Sequence, residues 1–391
     1  MKKIILRPGK EHSLKRFHPW LFSGAIGKMQ DLPGEGEYVA VYSSGGECLG
    51  TGHYHSGSIA VRMLSFSYTE PSDAFWRMKF EKALSLRIKA GLSNGEQNSV
   101  FRLVNAEGDG FPGLIADFYN GTVVFQAHSA GMFRIREQLA SVLQQLPGMN
   151  VKAVYDKSPS EKMRTEEKRS DGYIYGESDD TVVMEYGNRF RVDWIGGQKT
   201  GFFIDQRENR KLVQKYSSKQ RVLNMFGYTG GFSVYALRGG ATVVHTVDSS
   251  SRAIELAGEN IGLNFPEDRR SKLYCSEVYD FFRDSNDKYD IIILDPPAFA
   301  KNRKSLNNAL QAYKRLNARA MEFIEPGGLL FTFSCSQVVG KKEFRQAVYS
   351  AALECGREGK IMHLLSQPPD HPVSIFHPEG DYLKGIVLQI I

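Results

Sequence analysis

Three stretches in the second half of this 391-residue chain hold side chains whose types and spacing suit chemistry on a ligand. The first is Asn224-Met225-Phe226-Gly227-Tyr228-Thr229-Gly230-Gly231, where an apolar run ends in a glycine turn. Glycines let the backbone approach a ligand closely, and the start of a following helix favours an anionic group. The second is Asp248-Ser249, at the end of the next apolar run and about twenty residues after Gly227, where an acid can accept from both hydroxyls of a ribose. The spacing G-x-x-G-G differs from the G-x-G-x-x-G of dinucleotide sites, so the pair points to an adenosine-type ligand. Each feature also has a plainer reading. A glycine closes many tight strand–helix turns, and Asp248 can cap the helix that follows it.

The third stretch is Asp295-Pro296-Pro297-Ala298-Phe299, together with Cys335 in Phe333-Ser334-Cys335-Ser336. Two prolines after a buried strand can neither extend it nor open an ordinary helical turn. They predict a rigid exposed loop with Asp295 at its root and Phe299 projecting, a platform on which a flipped base can stack. The competing reading is a stiff turn with Phe299 packed inward. Cys335 leaves an apolar strand on the same edge, where a thiolate can act as a nucleophile. Cys48, Cys275 and Cys355 read as inert core residues, and without a C-x-x-C pair neither a zinc site nor a disulfide framework is expected. Glu277, after a third strand, is placed to meet an adenine amino group.

These residues need a scaffold, and from residue 221 the pattern supplies one. Strands over 221–226, 243–248, 273–275, 289–295 and 329–334 alternate with helices over 231–238, 252–260, 278–283, 306–324 and 341–354. Two further strands, 361–365 and 385–391, close the chain. This alternation predicts a mostly parallel sheet with helices on both faces, whose ligands sit beyond the carboxyl ends of the strands.

The first half is different. Short strands at 39–42, 48–52 and 59–64, separated by glycine-rich turns, predict a small β-barrel. A helix from Ser72 onward, strands at 101–105, 113–117, 123–127 and 151–156, and a helix over 132–146 predict a small α/β domain. Residues 158–180 read as an exposed loop or hairpin, and Tyr186-Gly187-Asn188 as the turn of a β-hairpin. The expected division is 1–70, 71–185 and 186–391.

Composition sets the outer bounds. With 41% hydrophobic and 24% charged residues the chain describes a folded globular protein, and no apolar run is long enough for a membrane span. The opening Met-Lys-Lys-Ile-Ile-Leu imitates a leader peptide, but Arg7-Pro8-Gly9-Lys10 interrupts it. A cytoplasmic protein is the expectation. The net charge of +6 is mild, yet residues 1–30 hold Lys2, Lys3, Arg7, Lys10, Lys15, Arg16 and Lys28 against Glu11 alone. A basic face of that kind suits a nucleic-acid backbone. No metal is expected, and a homodimer is an open possibility.

On its motifs, the sequence resembles the PUA-containing class I RNA methyltransferases that form 5-methylcytosine in large-subunit ribosomal RNA. The matching stretches are 18–24, 107–114, 198–207, 224–236, 295–301, 333–336 and 378–385, in order along nearly the whole chain. The resemblance implies an N-terminal PUA-like barrel, a central α/β domain and a Rossmann-like methyltransferase domain using S-adenosylmethionine. It implies that 198–207 folds over the cofactor, with Phe203 and Gln206 in contact, and that Lys301 joins Pro296, Pro297 and Phe299 against RNA. Glu277 departs from the Asp more usual in the family, and the longer acid can still reach adenine.

For a cytosine C5 target, the chemistry requires a nucleophile at carbon 6 and a base for the carbon-5 proton. Cys335 is the expected nucleophile and Asp295 the contact to the ring edge. Two other readings stand beside this one. Methylation of a guanine nitrogen shares the Asp-Pro-Pro turn but needs no thiol. A catalytically inactive RNA-binding assembly factor needs neither cofactor site nor cysteine.

Overall fold

The computed structural model describes residues 1–92, 95–159, 171–300 and 302–391. They divide into two compact units. One comprises Met1–Met184, Val192–Ile204 and Pro369–Gly380, and the other Glu185–Arg191, Asp205–Pro368 and Asp381–Ile391.

In the first unit, strands β1 (Lys2–Leu6), β2 (Trp20–Phe22), β3 (Ile26–Met29), β4 (Tyr38–Tyr42), β5 (Cys48–Tyr54) and β6 (Ile59–Ser65) form one sheet. Its order is β2-β6-β5-β4-β1-β3, with helix α1 (His12–Lys15) between β1 and β2 in the chain. The opening residues that imitate a leader are strand β1. Ile4 and Leu6 are buried there with Leu14, Leu21, Val39, Val41 and Val61, and the strand runs parallel to β4. Periodicity missed β2 and β3, of three and four residues, because each is too short to show an alternation.

The same unit holds a second sheet, ordered β11-β10-β9-β8-β7. Its strands are β7 (Val100–Asn105), β8 (Leu114–Tyr119), β9 (Thr122–Ala127), β10 (Ala153–Asp156) and β11 (Gly172–Tyr175), the last lying in the stretch expected to be a loop or hairpin. Helix α2 (Asp73–Lys89) is capped by Ser72, whose hydroxyl accepts from the Phe75 N–H, and it buries Trp76 and Phe80. The helix expected over 132–146 is two, α3 (Ala130–Arg134) and α4 (Arg136–Gln144), broken at Ile135.

The distant segment Pro369–Gly380 joins this unit through buried polar bonds. Arg87, fully buried, forks onto Asp109 at 2.6 and 2.7 Å and donates to the Asp370 carbonyl at 2.8 Å. The Arg102 N–H donates to the Asp370 carboxylate at 3.0 Å. At Gly108 a Cβ would lie 1.9 Å from the Pro372 carbonyl oxygen, so only glycine permits this approach.

A ribbon of β12 (Val182–Glu185) and β13 (Asn188–Arg191) follows, as the hairpin pattern predicts. Its turn residues Tyr186 and Gly187 have φ of 47° and 75°, the twist that suits tight hairpins.

In the second unit a seven-stranded sheet runs β16-β15-β14-β17-β18-β20-β19. The strands are β14 (Arg221–Met225), β15 (Val243–Asp248), β16 (Ser271–Cys275), β17 (Tyr289–Leu294), β18 (Ile324–Ser334), β19 (Gly359–Leu365) and β20 (Lys384–Ile390). The first five are parallel, and β20 runs antiparallel to both β18 and β19. Ile291 to Leu294 are buried without alternation, as a strand covered on both faces requires. The covering helices are α5 (Arg207–Tyr216), α6 (Gly231–Arg238), α7 (Ser251–Asn264), α8 (Val278–Asp284), α9 (Leu306–Phe323) and α10 (Lys341–Cys355). Strand order reverses beside β14, which pairs with β15 on one side and β17 on the other. That switch point, at the carboxyl ends, is where open sheets of this kind hold ligands.

Candidate active site

The register of the sheet brings the candidate residues to one edge. Met225 pairs with Val247 and with Leu294, Asp248 with Cys275, and Leu294 with Thr332. The residues that follow each strand therefore form one rim: the glycine turn after β14, Asp248 ending β15, Glu277 after β16, Asp295 after β17 and Cys335 after β18.

The turn after β14 is conformationally unusual. Phe226, Tyr228 and Gly230 have φ of 56°, 44° and 77°, and two of the three carry side chains. Such left-handed residues cost energy and persist only where the surroundings enforce them. Here the Gly227 N–H donates to the Val247 carbonyl at 3.0 Å, and the Gly230 N–H to the Gly227 carbonyl at 2.8 Å. A Cβ on Gly227 would meet Thr246 Cγ2 at 2.4 Å. Asn224, fully buried, donates to Ser233 at 2.9 Å, while its Oδ1 finds no partner among the described residues. Thr229 is buried, and its carbonyl accepts from Asn260 at 2.9 Å.

Asp248 is half-buried. Its Oδ2 accepts from the Tyr228 N–H and its Oδ1 from the Ser250 N–H, both at 2.9 Å. Ser250 is the N-cap of α7, accepting from the Ala253 N–H, so capping is not the task of Asp248. Instead, Asp248 fixes the glycine turn and keeps a lone pair on each oxygen for a further donor. Ser249 is exposed. Glu277 is also exposed; it stands as N-cap residue of α8 without a capping bond from its side chain.

On the other side of β14, a hydrogen bond ties the proline loop to the cysteine strand. Ser336 Oγ donates to the Ala300 carbonyl at 2.8 Å, and both residues are buried. Cys335 and Asp295 are each half-buried, Pro296 is buried and Pro297 exposed. Both Asp295 and Cys335 act electrostatically on Tyr313, whose hydroxyl pKa is pushed up to about 12, chiefly by burial. The two candidate groups thus share a neighbourhood.

Phe299 departs from expectation. It packs against Tyr313, with ring centroids 4.7 Å apart, and lies against the main core cluster. The apolar pocket beside α9 outcompetes solvent for the ring, so Phe299 is part of the loop's footing and does not project as a free platform.

Comparison with known proteins follows the same lines. Residues 109–374 match a family profile described as S-adenosylmethionine-dependent methyltransferase, and residues 4–66 match a PUA-like domain. The protein named ribosomal RNA large subunit methyltransferase I of Tolumonas auensis is 40% identical over 397 residues, covering 99% of each chain. Its namesake from Aeromonas salmonicida is 38% identical, covering 99% of this chain and 98% of its own. The chain belongs to the S-adenosylmethionine-dependent methyltransferases. Among solved structures, SMU.776 in complex with SAH superposes with a TM-score of 0.85 at 24% identity over the full length of both chains, a likeness of fold.

This methyltransferase therefore has a PUA-like N-terminal domain, an α/β methyltransferase fold and S-adenosylmethionine as its cofactor. No helix among the described residues is long and apolar enough to cross a membrane. In the PUA-like part, Lys10, Lys15 and Arg16 are exposed. Lys15 pairs with Glu47 at 2.7 Å, and the hydrogen bond of that pair raises its pKa. The 198–207 segment divides between the two units after Ile204. Phe203 is half-buried beneath the Lys199 ammonium, 4.5 Å from its ring centroid, whereas Gln206 is buried and accepts from Asn209. Lys301 lies outside the described residues.

Two features of the methyltransferase unit were given no role by the motif reading. One is the buried carboxylate of Glu185, held by Arg207 and Arg210. The other is Lys384, a lysine only 5% exposed whose ammonium donates to the Ser336 carbonyl at 2.6 Å. A lysine at the start of a strand gives no such signal in sequence.

Proposed function

We propose that this methyltransferase modifies carbon 5 of a cytosine in large-subunit ribosomal RNA through a covalent Cys335 adduct. The observation that carries the reading is the thiol of Cys335 on the strand-end rim, with Asp295 at the end of the adjacent parallel strand. The ribosomal substrate rests on the names of full-length relatives and on the PUA-like domain. Lys10 and Arg16, exposed and cationic, are suited to phosphate contact.

The residues present fit S-adenosylmethionine. The left-handed turn at 226–230 leads into α6, whose N-terminus favours the amino-acid carboxylate, and Asn224 Oδ1 offers a buried acceptor. Asp248 would take the ribose hydroxyls and Glu277 the adenine amino group. Phe226, Gly227, Tyr228, Thr229, Gly230 and Ser249 would line the pocket, with Gln206 contributed by the preceding segment. When bound, the cofactor supplies a methyl carbon attached to a positive sulfur.

In the reaction, the Cys335 thiolate adds to carbon 6 of the cytosine. The ring's double-bond electrons would then be available at carbon 5 for in-line attack on the methyl carbon, the methyl–sulfur bond breaking with its electron pair passing to sulfur to leave a neutral thioether. Asp295, or a water it holds, takes the carbon-5 proton. The electrons of that C–H bond restore the ring double bond and expel the thiolate. A guanine nitrogen has its own lone pair and gives Cys335 nothing to do.

The deciding experiment is mass-spectrometric nucleoside mapping of ribosomal RNA from cells with and without this gene. Loss of one 5-methylcytidine from the large-subunit RNA is expected. Loss of a methylguanosine with all 5-methylcytidines retained would overturn the reading. Binding is tested separately. Asp248→Ala removes the ribose acceptor and two bonds that shape the turn, so calorimetry should show at least about tenfold weaker S-adenosylmethionine binding. Unchanged affinity would refute the ribose assignment.

A further inference from the structure

Beside Cys335 stands a buried cation that the reaction scheme leaves unused. Lys384 opens β20 directly opposite Ser334, the residue before Cys335, in the antiparallel pairing with β18. Its ammonium reaches the carbonyl of Ser336, the residue after Cys335, at 2.6 Å. The side chain thus runs alongside Cys335 from one neighbour to the other. We propose that Lys384 is a positioning residue that holds a positive charge against Cys335 and stabilises its thiolate for attack. The inference rests on the reading of Cys335 as the nucleophile.

The electrostatics of the pocket require such a charge. A thiol near a carboxylate is harder to ionise, and Asp295 follows β17, the parallel neighbour of the strand that leads into Cys335. Tyr313, facing it from α9, stays a neutral phenol because burial pushes its pKa up to about 12. Lys341 and Asp381 also act on Lys384, but they are paired with each other at 2.5 Å and their opposite charges largely cancel. Lys384 supplies a positive charge on the side of Cys335. The benefit is mutual, since an ammionium this buried needs an anion. Burial lowers the Lys384 pKa, and Cys335 leads the groups that raise it again. A thiolate and an ammonium held beside one another each favour the other's charged form.

A second role for Lys384, as a structural tie between β20 and the end of β18, makes a different prediction. It needs the hydrogen bond to Ser336 and is indifferent to charge. Lys384→Gln removes the charge and retains a donor, while Lys384→Met removes both.

The test reads the thiol itself. The full chain is treated with iodoacetamide over a pH series, and alkylation of the Cys335 peptide is followed by mass spectrometry. In this reaction the thiolate sulfur displaces iodide and forms a carbon–sulfur bond, so the rate follows the thiolate fraction. The wild-type midpoint should lie below the ordinary thiol value of about 8.5. Both variants should move it up by at least about one unit, which is roughly tenfold slower labelling at neutral pH. Cys48 labelling, in the other unit, should not change. If Lys384→Gln titrates with the wild type, the charge is irrelevant and the proposal falls; if Lys384→Met fails to fold, the Gln variant still decides. Methyl transfer surviving Cys335→Ala removes the nucleophile reading alone, because the labelling experiment does not depend on turnover.

Discussion

Replacing Cys335 with alanine should lower methyl transfer to cytosine by at least about a thousandfold while leaving S-adenosylmethionine binding within error of the wild type. Carbon 5 of cytosine is too weak a nucleophile to displace the methyl group unaided, and the other thiol on the rim, Cys275, ends the edge strand β16 on the far side of β14. The turn after β14 and Asp248 of β15, which we propose hold the cofactor, are separated from the end of β18 by β17, so binding and chemistry can be read apart. Cys335 is half-buried, so removing one sulfur leaves little void and the fold should survive. Transfer of tritiated methyl groups measures the first effect and calorimetry the second. RNA carrying 5-fluorocytosine at the target gives a sharper readout. Fluorine cannot leave as a proton does, so the wild type should remain joined to the RNA through Cys335 and the alanine variant should not. Transfer at the parental rate by Cys335→Ala would sink the covalent scheme outright.

The sequence shows the methyltransferase half clearly because local pattern and global fold agree there. Apolar runs such as Ile291 to Leu294 are long enough, and the helices between them amphipathic enough, for element order to be read without a structure. The rim follows from topology, since in a parallel sheet everything directly after a strand comes to the same edge. Where reading failed, the cause was competition that sequence does not display. Phe299 looked free because it follows two prolines, but Tyr313 on α9 offers it an aromatic partner. The strand at Lys2–Leu6 went unread because its parallel partner is β4, far along the chain. The return of Pro369–Gly380 to the first unit depends on Arg87, Arg102 and Asn105 meeting backbone and carboxylate groups more than two hundred and sixty residues away. Lys384 lies in the matched stretch 378–385, but its contact with Ser336 depends on a register that the motif does not display.

The largest effect on stability should come from Glu185. Its carboxylate is fully buried and sits between two guanidinium groups. Arg210 grips both oxygens, at 2.8 and 2.7 Å, and Arg207 approaches one of them at 3.3 Å. The Tyr235 hydroxyl donates to it at 3.0 Å. Burial works against the charge of Arg210, yet Glu185 holds its pKa above the ordinary value. One carboxylate therefore keeps two cations in the interior. Glu185→Ala removes the counter-charge that Glu185 supplies to both, at a cost of about 3–5 kcal/mol. A whole domain is stable by only about 5–15 kcal/mol, so denaturant titration should show a large fall in midpoint. Glu185→Gln keeps the shape and loses the charge, and should fall nearly as far. If Gln behaves like wild type, packing and not charge sustains the cluster. The consequence reaches the cofactor turn, because Arg210 lies beneath the start of α6, where a Cβ on Gly231 would meet its Cδ at 3.1 Å. Loosening that support should weaken S-adenosylmethionine binding as well. Saturating cofactor should in turn restore part of the lost stability, since it binds only the folded turn.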